Sequence, residues 1–267
     1  MALIGFLGVN ALIIAICIIA LWLVSLRVGD VSFIDSWWPV GMVVLAWVSF
    51  LQSHDYASPR RLLLVGLCTL WGMRLGIYLF VRWRQHGADR RYVTMLAAAK
   101  EERGWGFATS ALLLVFGLQA PLQFVVCLPS QLGQFGQVSG AIGPLAMAGA
   151  AVAIIGFLFE SIGDWQLSRF KADPANRGKV LDSGLWRFTR HPNYFGDACV
   201  GWGLFLIACE SPLGVWSLPA PALLTFLLTR WSGVPTVEGR MRRQRPDYEA
   251  YVARTSSFIP WPPKKAA

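Results

Sequence analysis

Charge is what this sequence has least of. Only 15% of its 267 residues are Asp, Glu, Lys or Arg, where a soluble domain carries about 25%. That scarcity leaves no room for a large water-facing module. Cysteine is confined to Cys17, Cys68, Cys127, Cys199 and Cys209. All five sit in apolar surroundings without metal-ligand spacing, so they read as small packing groups rather than disulfides or zinc ligands, and no metal site is expected. Familiar cofactor signatures are missing: there is no G-x-G-x-x-G between a strand and a helix, no Walker A run, no H-E-x-x-H and no G-x-S-x-G. If a nucleotide binds, side chains and a helix start must hold it. Without a Ser/Gly linker, a charge block or a transporter-type repeat, residues 1–267 read as one integral membrane domain.

What the chain does have is apolar length, at 55% hydrophobic residues. Seven segments, near 3–26, 37–52, 62–82, 107–128, 141–163, 196–210 and 213–230, approach the roughly 20 residues that a bilayer crossing needs. The expected fold class is therefore all-α and polytopic, with about seven transmembrane helices. The first run lacks a basic flank and a small-residue cleavage site, so it reads as a span and not a signal peptide. The formal charge of +9 reports topology first and offers no basic soluble face for nucleic acid. Basic residues cluster after the third span (Arg82, Arg84, Arg90, Arg91, Lys100, Arg103), after the fifth (Arg169, Lys171, Arg177, Lys179, Arg187, Arg190) and after the seventh (Arg240, Arg242, Arg243, Arg245, Arg254). The positive-inside rule then puts the N-terminus outside and the C-terminus in the cytoplasm, with Arg60 and Arg61 as the exception. The uncharged, Gly-rich 131–143 stretch reads as an external loop.

The stretch Asp182 to Asp197, DSGLWRFTRHPNYFGD, organises the rest. Pro192 removes a backbone donor and disfavours a helical His191, so a helix is expected to start around Pro192 or just after it. Its free N–H groups, with Arg190, His191 and Asn193, are expected to face one small volume suited to an anion or a hydrogen-bonding ring. Interfacial anchoring by Arg and Tyr is the plainer alternative. Ionisable groups inside spans need a reason too. Arg74 suits either an ion pair with an acidic neighbouring helix or a substrate role. Glu160, Asp164 and Lys171 share roughly one helix face. Asp35, with Pro39 close behind, reads as a helix cap. Depth groups Asp35, Glu160, Asp164, Asn193, Asp197 and Glu238 at cytoplasmic span ends, with Arg74 deeper. A pocket open to the cytoplasm above an apolar chamber follows.

The runs DWQLSRFK, GKVLDSGLWRFTRHPNYFGD and SGVPTVEGRMRRQRPDYEAYVARTSSFIP resemble the DUF1295 group. That group belongs to the membrane superfamily of steroid 5α-reductases, sterol reductases and isoprenylcysteine carboxyl methyltransferases. The resemblance covers residues 160–260 and, more loosely, the first four spans. It implies a cytoplasm-facing NADPH site within 141–260, substrate-side spans within 1–130, and hydride transfer to a conjugated C=C bond of a steroid-like or isoprenoid-like lipid. It would make Glu160, Asp164, Lys171, Arg190, His191, Asn193, Tyr194 and Asp197 cofactor-binding. Glu238, Arg242, Tyr248 and Tyr251 would belong to a segment covering the cofactor. Asp35, Arg74 or Tyr92 would polarise the substrate. One departure stands out: steroid reductases carry a Tyr three residues before the third-span Arg, and Trp71 stands there instead. Trp can donate a hydrogen bond but is no phenolic acid. A second reading is an S-adenosylmethionine-dependent methyltransferase of the isoprenylcysteine type; a third is a membrane scaffold without enzyme activity. The expected partners are the bilayer and a lipophilic small molecule, in a bacterial inner membrane or, in a eukaryote, the endoplasmic reticulum.

Overall fold

The computed structural model describes residues 2–136, 141–231 and 233–264, and among these every regular element is helical. Among the described residues five helices are long and apolar enough to cross a membrane. They are α1 (Leu3–Val28), α2 (Ile34–Ser53), α3 (Pro59–His86), α5 (Phe107–Val126) and α7 (Pro144–Ala172). The short α4 (Arg90–Arg103) and α6 (Leu128–Leu132) lie between them. Next come α8 (Pro192–Ala208), α9 (Pro219–Phe226), α10 (Val234–Gln244) and α11 (Tyr248–Arg254). At about 1.5 Å per residue, the 17 residues of α8 fall short of a hydrocarbon layer about 30 Å thick. Beyond α9 the chain continues only as a π-turn, Leu227–Trp231.

Local chemistry sets the helix boundaries. Gly29 ends α1 at φ 70° and donates its N–H to Ser25 O at 2.8 Å, a left-handed cap that a side chain would strain. Ser58 caps α3, with Pro59 in its first turn, and Asp89 caps α4 through the Arg91 N–H at 2.8 Å. Pro192 is the first residue of α8, where its missing N–H costs nothing. The expected cap role of Asp35 is not what the structure shows. It lies in the first turn of α2, but its carboxylate bonds side chains of α4, 56 and 57 residues away. The loop expected at 131–143 has no regular structure at 133–136 and 141–143, with 131–132 closing α6, but its first residues pack inward. Gln131 and Gln134 are buried, and Gln131 Oε1 accepts from Asn10 Nδ2 of α1 at 3.0 Å; positions 137–140 lie outside the described residues.

The pairing of α7 with α8 positions the organising motif. These helices run antiparallel along a seam of glycines seven residues apart: Gly149, Gly156 and Gly163 face Gly203, Gly196 and Pro192. A Cβ on Gly156 would stand 2.5 Å from Gly196 O, and one on Gly196 would stand 2.5 Å from Glu160 N. Backbone therefore meets backbone, the contact that small residues permit where lipid leaves little hydrophobic drive between helices. Around α2, α3, α5 and α8 the core is closed by Ile34, Leu45, Leu64, Val115, Phe116 and Ile207.

Candidate functional site

Three polar clusters gather where α2 begins, α7 ends and α8 begins. The deepest surrounds Arg74 of α3. Its Nη1 donates to Asp164 Oδ2 at 2.7 Å, and its Nη2 lies 3.3 Å from Glu160 Oε1. Trp71, one turn earlier, donates Nε1–H to Glu160 Oε2 at 2.7 Å. Asn193 closes the other side: its Nδ2 donates to Asp164 Oδ1 at 3.1 Å while its Oδ1 accepts from Tyr194 N. Asp197, one turn further along α8, leaves Oδ1 buried without a partner among the described residues. Three carboxylates thus face one guanidinium.

The second cluster ties down the C-terminal segment. Arg190 Nε donates to Glu238 Oε1 at 2.8 Å, and Nη1 donates to Thr255 O at 2.5 Å and Val252 O at 3.3 Å. His191 Nε2 meets the same Glu238 oxygen at 3.1 Å, and its ring stacks on Tyr194 at 5.3 Å. Tyr251 Oη donates to Trp186 O, Thr189 Oγ1 to Phe258 O, and Arg242 Nη1 to Glu249. Tyr248 packs on Tyr251 at 5.9 Å between ring centres. Burial by itself would raise the Glu238 carboxyl, but the hydrogen bonds from His191 and Arg190 and the Arg190 charge outweigh it and bring it down to about 2. Burial holds the His191 imidazole below its ordinary value, against the pull of Glu238.

The third cluster centres on Asp35. Tyr92 Oη donates to Asp35 Oδ1 at 2.6 Å, and Arg91 Nη2 to Oδ2 at 2.7 Å. Gln119 Nε2 reaches Tyr92 Oη at 3.4 Å and its Oε1 accepts from Trp38 Nε1 at 2.5 Å. Burial, then the Asp35 charge, push the Tyr92 phenol well above its ordinary range, so it stays protonated, donating to Asp35 and accepting from Gln119. Tyr194 bridges the clusters, within electrostatic range of Arg91, Asp35 and Asp197.

The motif residues are therefore shared out and do not face one volume. Asn193 joins Asp164, Glu160 and Arg74, whereas Arg190 and His191 turn toward Glu238 and the C-terminal carbonyls. Arg74 stands with residues expected to hold the cofactor, apart from Asp35 and Tyr92. Lys171 is exposed near the end of α7, in electrostatic range of Arg82, Arg240, Arg245 and Asp164. Sequence reasoning passed over the roles of Arg82, Arg91, Arg240, Arg245 and Gln119 at the site. Gln119 and Gln123, four apart in an apolar run, were a legible signal.

A family model described as "Protein of unknown function (DUF1295)" matches residues 21–255. No curated protein and no solved structure matches the chain.

Proposed function

The chain belongs to the DUF1295 family, and we propose that it is a membrane reductase that uses NADPH to saturate a conjugated C=C bond of a lipophilic substrate. The reading takes seven crossings, with the N-terminus outside and the basic C-terminal segment in the cytoplasm. Arg60 and Arg61 do not count against that topology, because both are buried in protein and absent from any loop surface.

One observation carries the reading. The amide and carboxylate pair of Asn193 and Asp164 adjoins a concentration of positive charge, where Lys171 feels Arg82, Arg240 and Arg245. A dinucleotide asks for that polarity: cations for its phosphates, and paired donors and acceptors for its ribose and carboxamide. Arg245 Nε is buried without an acceptor among the described residues, as a phosphate contact would require. Lys171, Arg82, Arg240 and Arg245 would hold the phosphates, and Asp164 with Asn193 the nicotinamide end. When bound, NADPH supplies the hydride. The chain's own residues do the rest: Tyr92, whose Oη–H is donated to Asp35 in the ligand-free chain, would exchange that acceptor for a substrate oxygen. Glu238, Arg190 and His191 clamp the C-terminal segment over the motif and keep water out.

The excess of carboxylates around Arg74 favours a second reading. A net negative cluster suits a cation, and the sulfonium of S-adenosylmethionine is one. Thermal unfolding of detergent-solubilised protein with each compound separates the two. NADPH at a hundredfold its Kd should stabilise by about 2.7 kcal/mol. A shift with S-adenosylmethionine alone would replace the reductase by a methyltransferase, and a shift with neither would leave a scaffold.

A further inference from the structure

At the opposite end of the bundle, away from all three clusters, α3 begins Ser58-Pro59-Arg60-Arg61. Both arginines are closed off from solvent, at 0% and 1% exposure. Arg60 Nη1 donates to Gly133 O at 2.9 Å, and Arg61 Nη2 donates to Gly136 O. Only Asp55 lies within ion-pair distance among the described residues, 3.2 Å from Arg61 Nη1, and its side chain is 44% exposed. Glu210 is in electrostatic range of Arg60, but its oxygens are taken by the N–H groups of Gly143 and Ala146 at 2.9 and 2.8 Å. Among the described residues Arg60 Nε, Arg60 Nη2 and Arg61 Nε are buried with no acceptor, and Arg61 Nη1 has the ion pair without a hydrogen bond.

An ammonium in this position could shed its proton. A guanidinium cannot, so the positive charge stays. Burying each ion costs several kcal/mol unless an opposite charge and good hydrogen bonds offset it. Asp55, half exposed and paired with Arg61 alone, and Glu210, beyond ion-pair distance and bonded to two backbone N–H groups, do not offset two guanidiniums, and the N-terminus of α3 adds positive potential at the same place.

We propose that Arg60, Arg61 and the start of α3 form a binding site for a phosphate oxyanion, with Asp55 as the competitor that occupies it in the ligand-free chain. Forked N–H donors match a tetrahedral oxyanion bidentately, which a halide would not use. The site lies level with the starts of α3 and α7 and the end of α2, where a bilayer places its headgroups. The phosphate is therefore either a phospholipid headgroup or free inorganic phosphate. This assignment is independent of the reductase reading.

The test follows thermal unfolding in a neutral detergent at matched ionic strength. Inorganic phosphate is titrated in one arm. Phosphatidylglycerol is titrated in the other, against phosphate-free diacylglycerol. Stabilisation in the lipid arm alone assigns the headgroup, and stabilisation by inorganic phosphate assigns the free ion. Arg61→Met should weaken that binding at least about tenfold, and Asp55→Asn should tighten it by about as much. Should Arg61→Met not fold, Asp55→Asn decides alone, and unchanged affinity there overturns the site. Absence of stabilisation in both arms, or a shift that survives in Arg61→Met, overturns it as well.

Discussion

Asn193 makes two bonds that a shorter side chain cannot, one to Asp164 and one to the Tyr194 amide. It is only partly buried, so its loss leaves no core cavity. Asn193→Ala should weaken NADPH binding by about 1–1.5 kcal/mol, roughly tenfold, with little change in the melting temperature of the unliganded protein. Titration calorimetry reads the affinity and a thermal unfolding scan the melting temperature, and unaltered affinity would remove Asn193 from the site. Glu238 yields a pH dependence. Its carboxyl falls from an ordinary 4.5 to about 2 in the folded chain, so the folded state holds the charged form. The stability it contributes is complete above 4.5 and drains away as pH falls toward 2. Proteolysis of the segment after α10 should accelerate across that window in the wild type, and the Glu238→Gln variant should have lost the dependence. Asp35 shows what a residue-by-residue reading misses. A carboxylate at a helix start looks like a cap, and nothing nearby in sequence announces that Tyr92 and Arg91 will reach it first.

Among the elements, the α7–α8 seam is where one added methyl should matter most. Gly196 has Gly156 O and Glu160 N at 2.5 Å from where its Cβ would stand, and both are backbone atoms that cannot rotate aside. Gly196→Ala should destabilise the protein by about 1–3 kcal/mol. Because Asp164 and Asn193 lie on the two helices this seam joins, nucleotide affinity should fall with it. Gly66→Ala, on α3 with open space around it, is the control that should change neither. A variant at Gly196 with wild-type melting and wild-type NADPH affinity would show that the helices do not need this close approach. The start of α8 was legible, since a proline opens a helix at no cost and sits within one only by giving up a backbone hydrogen bond. The seven-residue glycine spacing was equally present in the sequence, yet its meaning needs the partner helix.

For the whole molecule, the proposed topology puts the basic residues after α3, after α7 and in α10 and α11 on one cytoplasmic face. A cysteine substituted at Lys264, in a chain whose native cysteines are replaced, should react with a membrane-impermeant thiol reagent only from the cytoplasmic side. Labelling from the outside would invert the topology, and with it the compartment from which a soluble cofactor arrives.

Composition and apolar run length pointed to helices long and apolar enough to cross a membrane, and five are there among the described residues, since a bilayer core accepts only backbone that bonds itself. Five of the expected spans have full-length helices, and the shorter sixth and seventh runs show where hydropathy stops being informative. The residue types of the polar motif were also visible: a proline, a histidine and an amide beside arginines are conspicuous among apolar neighbours. Which of them meet was decided only by tertiary packing. Asp164 and Asn193, 29 residues apart, touch because glycines let two backbones close. Arg190 and His191 turn away because Glu238, 47 to 48 residues further on, offers a buried carboxylate. Hydrogen-bond partners are chosen by distance in space, and a sequence records only distance along the chain.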